Sequence, residues 1–190
     1  MFDSNNKLLD LQDEKEFILQ LLDPKTQNKA FENLLKSYQK PMYFHIRNIV
    51  LNHDDSDDVL QNTFLKIFQN LKNFKGESKL FSWMYRIATN EALTFIANKA
   101  KKNNTTSEAM QTKIVENLQA DIDYDGNEMQ LKLQKAIVQL PEKQQLIFKM
   151  KYYEELKYEQ ISEILGTTVG GLKASYHIAV KKIEEFVKNN

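Results

Sequence analysis

The chain contains no cysteine. Disulfides, thiol nucleophiles and thiolate metal sites are thereby excluded. Glycine and proline are scarce, five and three among 190 residues, which argues against a turn-rich β architecture and against a low-complexity chain. No apolar run approaches the roughly 18 residues that would cross a bilayer. The segment Met1 to Asp10 is polar and acidic, unlike the basic start and apolar centre of a signal peptide. A cytoplasmic protein without membrane insertion is expected.

An excess of charge of either sign is also missing, since 26 basic residues balance 26 acidic ones. The balance is local as well as global. Residues 1–23 carry two Lys and six acids, net −4. Residues 24–103 carry thirteen basic residues and seven acids, net +6. Residues 104–130 carry one Lys and six acids, net −5, and residues 131–190 carry ten Lys and seven acids, net +3. Two basic modules thus alternate with two acidic segments, and a neutral total can hide two polyanion-binding surfaces.

What is present is helical periodicity. Phe17, Ile18, Leu21 and Leu22 suit a short helix over 12–22. Phe31, Leu34, Leu35 and Tyr38 suit one over 27–39. Pro41 is expected to open a separate helix, 41–52. Ser56 is expected to cap the next, with Asp57 and Asp58 in its first turn. Val59, Leu60, Thr63, Phe64, Ile67, Phe68 and Leu71 then recur every three or four residues. Lys75-Gly76-Glu77-Ser78 interrupts the pattern before a long helix over about 79–98. From Asn103 to Asn127 polar and acidic residues dominate, which reads as a linker with transient helicity around Ile114 to Leu118. Helices over 142–153 and 158–165 and from Thr168 to about Val187 complete an all-α chain, with Gly166 ending the middle one. The expected division is an extension over 1–24, a module over 25–103, an acidic flexible linker over 104–128 and a second module over 129–190.

Three constellations carry chemical information. Helices 158–165 and 169–187 make a helix-turn-helix whose second member presents Lys173, Ser175, Tyr176, His177, Lys181 and Lys182, and such a helix fits a DNA major groove. The same corner is also a common way to pack helices. The run Phe81-Ser82-Trp83-Met84-Tyr85-Arg86-Ile87-Ala88-Thr89-Asn90 interleaves rings with cations, which suits single-stranded nucleic acid. Trp83, Met84 and Ile87 have a simpler reading as core, whereas Lys75, Glu77, Ser78, Arg86 and Asn90 do not. Asp54-Asp55-Ser56-Asp57-Asp58 reads as a solvated helix start rather than a metal site, leaving Asp58, Gln61 and Asn62 on an exposed stripe.

Other chemistries find no support. Asp121-Ile122-Asp123-Tyr124-Asp125-Gly126 matches the first half of a calcium loop, but the twelfth position is Lys132, which removes the required bidentate acid. His45, His53 and His177 lack metal-ligand spacing, and no phosphate loop or nucleophile elbow occurs. No enzyme activity, metal or cofactor is expected.

Asp58-Val59-Leu60-Gln61-Asn62-Thr63-Phe64, Phe74-Lys75-Gly76-Glu77-Ser78 and Trp83 to Asn90 together resemble the second conserved region of extracytoplasmic-function (ECF) sigma factors of the sigma-70 family. Leu140-Pro141 through Ile161-Ser162-Glu163-Ile164-Leu165-Gly166 resembles their fourth region. The resemblance covers about 25–103 and 129–188. It implies a factor that binds core RNA polymerase and promoter DNA. Asp58, Gln61, Asn62 and Phe64 would dock on the β′ coiled coil. Phe74, Lys75, Gly76, Glu77, Ser78, Arg86 and Asn90 would meet the minus-ten strand, and Lys99, Lys101 and Lys102 its upstream phosphates. The second module would sit on the β flap, with Thr168, Gly170, Lys173, Ser175, Tyr176, His177 and Lys181 at the minus-35 element. An anti-sigma factor is a further partner the family commonly has. Two departures stand out: Asn62 where the family often has Glu, and Ser175 where it commonly has Arg, so base preferences of the last helix are not inherited. A stand-alone helix-turn-helix regulator would leave the first module without a task, and a helical protein adaptor predicts no salt-sensitive DNA affinity.

Overall fold

The computed structural model describes residues 11–120 and 128–189. Every regular element among them is helical: α1 (Leu11–Leu22), α2 (Gln27–Val50), α3 (His53–Asn70), α4 (Leu80–Lys102), α5 (Ser107–Ala120), α6 (Glu128–Val138), α7 (Glu142–Tyr152), α8 (Tyr158–Leu165) and α9 (Val169–Asn189), with a 3-10 turn at Leu71–Asn73. Helices α2, α3 and α4 pack pairwise as a bundle and α1 lies on α2. Their interface is built from Leu34, Met42, Ile46, Ile67, Leu71, Leu80 and Met84, all fully buried. A second core gathers Ala136, Ile137, Leu140, Phe148, Ala179 and Ile183 between α6, α7 and α9.

The two modules are not separate bodies. Ile147, Met150, Ile161 and Ile164 of the second belong to the same apolar cluster as Met42, Ile46 and Met84 of the first. Helix α8 packs on α4, and α7 touches α2. Burial at this seam extends to a cation. Lys149 is 3% exposed, and its ammonium lies 3.4 Å from the Gln145 side-chain oxygen.

Three sequence expectations are corrected. Pro41 opens no helix, because 27–39 and 41–52 form the single helix α2 with Pro41 inside it. An internal proline removes one backbone donor and costs about 3 kcal/mol; burial of Leu34, Met42, Ile46, Ile49 and Val50 on one continuous face offsets that cost. Ser56 is not a cap. Asn52 holds that position, accepting from the Asp55 amide at 2.9 Å, and the acids of the first turn are Asp54 and Asp55. Ser56 is buried one turn further on, its hydroxyl donating to the Asn52 carbonyl. The connection over 104–128 is helical across Ser107–Ala120. It is tied down there, with Val115 packed on Leu51 and Val138 and the Gln111 amide donating to the Ile49 carbonyl at 3.2 Å. The calcium-loop look-alike 121–126 lies outside the described residues. Helices 142–153 and 158–165 fall where expected within one residue, and Gly166 closes α8 at φ +62°, a conformation glycine adopts without a Cβ penalty.

Burial pushes the Lys149 pKa down from 10.5 to about 8, the Glu154 carboxylate acting in the opposite sense. Between those values the unfolded chain holds more protons than the folded one, so stability rises with pH. On this account the unfolding free energy climbs from pH 8 towards the tyrosine range at about pH 10 and is flat below pH 8. Lys149→Met is expected to abolish the climb and to raise stability at neutral pH by a few kcal/mol at most, at about 1.4 kcal/mol per pKa unit. Urea denaturation from pH 7 to 10 reads both effects.

Candidate nucleic-acid interface

Helix α4 buries Leu80, Phe81, Ser82, Met84, Tyr85, Ala88, Thr89, Ala92, Ile96 and Ala100 on one side and leaves the opposite face to solvent. Trp83, Ile87, Asn90 and Glu91 on that face meet Lys66, Asn70 and Asn73 from α3 and the following turn, and together they line an open pocket of about 290 Å³. Phe74 is buried and its ring lies 5.1 Å from that of Trp83, which anchors the loop leading into α4. Lys75, Gly76 and Glu77 stay exposed, Ser78 is half-buried, and Gly76 takes φ +72°. Lys66 pairs with Glu91 at the rim. A tryptophan face, three carboxamides and a cation suit a planar, hydrogen-bonding ring beside an anionic backbone.

The loop is also fixed from a direction the sequence did not reveal. Lys79, at the start of α4, makes no side-chain cap; the Leu80 amide instead donates to the Glu14 carboxylate at 2.6 Å. The first helix thus supplies the negative charge that a helix N-terminus favours. The two residues are 66 positions apart, so no local signal marks the pair.

On α3, Asp58, Gln61 and Asn62 are exposed along one face as expected. Phe64 lies beneath that face, 7% exposed and edge-on to Phe31 at 6.4 Å. The apolar residues that reach solvent are Leu65, 59% exposed, and Phe68. Leu65 follows Asp58 and Gln61 at seven and four residues, a spacing from which an apolar member of the stripe could have been found.

In the helix-turn-helix, the Thr168 hydroxyl accepts from the Gly171 amide at 3.2 Å and so opens α9. Gly170, Lys173, His177 and Lys181 are exposed at spacings of three and four on one face, with Ile178 beside them. Ser175 flanks the face half-buried. Tyr176 is turned inward, its ring stacked on Phe148 at 5.8 Å, and burial raises its hydroxyl pKa. The Lys173 ammonium lies over the Tyr158 ring at 5.7 Å.

The remaining cations divide. Lys101 and Lys102 are exposed at the end of α4. Lys99 pairs with Asp55. Arg86 does not join the pocket; its guanidinium donates to the Glu163 carbonyl of α8. The structure therefore brings Trp83 and Asn90 together around one opening, with Phe74 buried against Trp83, and sends Arg86 to the seam between modules. Among the described residues no group of three or more ligating side chains could hold a metal, and no described helix is long and apolar enough to cross a membrane.

Comparison with known proteins identifies the two modules. The family description "Sigma-70 region 2" matches residues 34–102 and "Sigma-70, region 4" matches residues 130–183. An ECF RNA polymerase sigma-E factor of Haemophilus influenzae is 29% identical over 168 residues, covering 84% of this chain and 88% of that one. The ECF RNA polymerase sigma factor SigW of Bacillus subtilis is 27% identical over 157 residues, covering 78% and 83%. Among solved structures, CnrH in complex with the cytosolic domain of CnrY superposes with a TM-score of 0.67 at 14% identity, over 93% of this chain and 98% of that one. Sigma factor RpoE, in complex with the anti-sigma factor NepR from Bartonella quintana, gives 0.62 at 19% identity, over 84% and 98%. These two likenesses concern the fold. The chain belongs to the sigma-70 family of transcription-initiation factors, in its extracytoplasmic-function branch.

Removing the Glu14 cap should loosen the start of α4. Glu14→Ala is expected to cost about 1 kcal/mol, the usual worth of a helix cap, and to lower Tm by about 2–4 °C in a chain of this size. Glu14→Gln, which keeps an acceptor but not the charge, should lose less. Thermal unfolding followed by circular dichroism distinguishes the two.

Proposed function

We propose that this ECF sigma factor acts by binding alone: it directs core RNA polymerase to promoters, captures an unpaired base of the minus-ten strand in the Trp83–Asn90 pocket and reads duplex DNA with α9. The observation that carries this reading is the pocket itself. It places a tryptophan face, the Asn70, Asn73 and Asn90 carboxamides and Lys66 around one opening beside an exposed loop. Melting a promoter requires no bond chemistry. It requires a site that binds unstacked bases better than the duplex does, so that capture offsets an unstacking cost of a few kcal/mol.

The other surfaces take the roles that family membership suggests. Asp58, Gln61 and Asn62, with Leu65 as the exposed apolar member, form the docking stripe for the β′ coiled coil, and Phe64 supports it from below. Lys75, Glu77 and Ser78, on the loop before α4, meet the same strand, and Lys101 and Lys102 meet phosphate upstream of it. Lys173, His177 and Lys181 approach the minus-35 groove from α9, the second module sitting on the β flap. Tyr176 and Thr168 shape α9 rather than touch bases. The assigned modules are 25–103 and 129–190. The site of action is the cytoplasm, where the polymerase and the chromosome are, and an anti-sigma factor is a further partner. A stand-alone helix-turn-helix regulator would use α8 and α9 and leave the pocket and the α3 stripe idle.

Run-off transcription with core polymerase and promoter fragments from the source genome tests the reading. Transcripts that depend on the protein and share two spaced upstream elements are expected. Gln61→Ala should weaken core binding by about five- to ten-fold, the worth of one good hydrogen bond. Asn90→Ala should leave core binding intact and reduce open-complex formation by a similar factor. Duplex binding by the protein alone, with no transcript and no affinity for core, would overturn the assignment.

A further inference from the structure

The side chains that read bases by paired hydrogen bonds are chiefly Arg on guanine and Asn or Gln on adenine. Helix α9 has no Arg and no Gln, and its single Asn, Asn189, is its last residue. Its first turn, where a recognition helix ordinarily meets base edges, holds Gly170 and Gly171. Gly170 is exposed, and a Cβ there would meet nothing within 4 Å. That turn therefore offers bare backbone to whatever approaches it. Readout by side chains is left to the second and third turns.

Those turns divide by the direction of their side chains. Leu172, Ala179 and Ile183 are buried, and Tyr176 stacks on Phe148. The Lys173 ammonium lies over the Tyr158 ring of α8 at 5.7 Å. The Lys182 ammonium lies 3.3 Å from the Gln144 side-chain oxygen of α7. Both cations are thus held at the margins of the helix, which suits phosphate rather than bases. Ala174, His177, Ile178 and Lys181 are exposed, and their spacing of three and four residues places them on one face. On that face an apolar row, Ala174 and Ile178, lies beside a polar row, His177 and Lys181. Ile178 is 46% exposed. A single exposed isoleucine is ordinary on a protein surface. This one stands inside the cationic stretch 173–182 and before the exposed Glu184 and Glu185, whose charge turns phosphate away.

In the major groove the one group that an aliphatic side chain complements is the thymine C5 methyl. The other base edges are donors and acceptors, and an isoleucine pressed on them would strip their water without replacing its hydrogen bonds. Ala174, one turn before Ile178, adds little bulk, so the helix can approach closely enough for the longer side chain to touch a base. We propose that Ile178 is a specificity-determining residue of α9, that it packs on a thymine methyl of the minus-35 element, and that the promoters of this factor carry thymine where Ile178 lies. This rests on the assignment of α9 to the minus-35 duplex made above. In this arrangement the lysines govern how tightly duplex DNA is held, and Ile178 governs which sequence is preferred.

Uracil pairs as thymine does and lacks only the methyl, so it isolates this contact. A promoter fragment that gives protein-dependent run-off is prepared in two forms, natural and with every thymine of its minus-35 element replaced by deoxyuridine. The affinity of core polymerase carrying this protein is measured for both by competition. The parent should bind the uracil form about three- to five-fold more weakly, the worth of one buried methyl. Ile178→Ala should lose a similar factor on the natural fragment and nothing further on the uracil form. The position is exposed and alanine is the better helix former, so the variant keeps its fold. Lys181→Ala supplies the contrast. It should weaken both forms alike, keep the uracil penalty and reduce the salt slope of the affinity by about one. A parent indifferent to uracil overturns the proposal. So does a minus-35 element with no A·T pair, or an Ile178→Ala variant that retains the full uracil penalty. Absence of protein-dependent run-off from every fragment is seen before any uracil is introduced; it counts against the sigma assignment itself and takes the proposal with it.

Discussion

Helix α4 is enclosed on most of its circumference, and the rest of the molecule follows from that constraint. It packs against α2, α3 and α8 and touches α5, and small residues at Ala88, Ala92 and Ala100 let those neighbours approach closely. A helix packed on three neighbours offers a partner only its remaining face. Trp83, Ile87 and Asn90 lie on the remaining face, beside the exposed Arg86 and Thr94, and become one wall of the pocket. The loop before α4 inherits its geometry from the same enclosure, through Phe74 against Trp83 and Glu14 at the Leu80 amide. The proposed nucleic-acid surface is therefore preorganised by packing that lies behind it.

Charge is arranged with comparable economy. The chain is neutral overall, yet thirteen basic against seven acidic residues fall in 24–103 and ten against seven in 131–190. The acids of α3 neutralise part of this locally, Asp55 holding Lys99. Lys101, Lys102, Lys173 and Lys181 remain exposed, and under the proposed function these supply the salt-dependent part of the DNA affinity. A binding factor needs such fields for encounter and orientation, whereas on the proposed reading the discrimination between sequences comes from the pocket and the α9 face.

The fold was legible where a periodic pattern met an unambiguous stop signal. Helix α8 could be bounded because Gly166 ends it, and α4 because Gly76 and Ser78 precede it. Legibility failed where two local rules competed. Asn52 and Ser56 are both good caps before a run of aspartates, and only the depth of burial at Ser56 decides between them. Pro41 reads as a boundary because its local cost is evident, whereas the core that outweighs it is tertiary. Helix α5 was obscured by its polar sequence, since Gln111 and Val115 are its residues seen buried. In the site, Asn90, Gln61 and Lys173 stand exposed as the sequence suggested. Tyr176 was read as surface because helical spacing cannot tell solvent from a neighbouring helix; Arg86 is exposed, but its bond to the Glu163 carbonyl of α8 has no local signal. The buried His45 ring hydrogen-bonds to Glu154, 109 positions away, and that pair leaves no trace in a linear pattern.

The central claim is that the protein, with core polymerase, holds promoter DNA open through single-strand capture. Permanganate reactivity of thymines across a promoter fragment measures this directly. The account predicts reactive thymines confined to the minus-ten element, present only when protein and core polymerase are combined. A fully paired promoter under those conditions, despite protection of the duplex upstream, would contradict it.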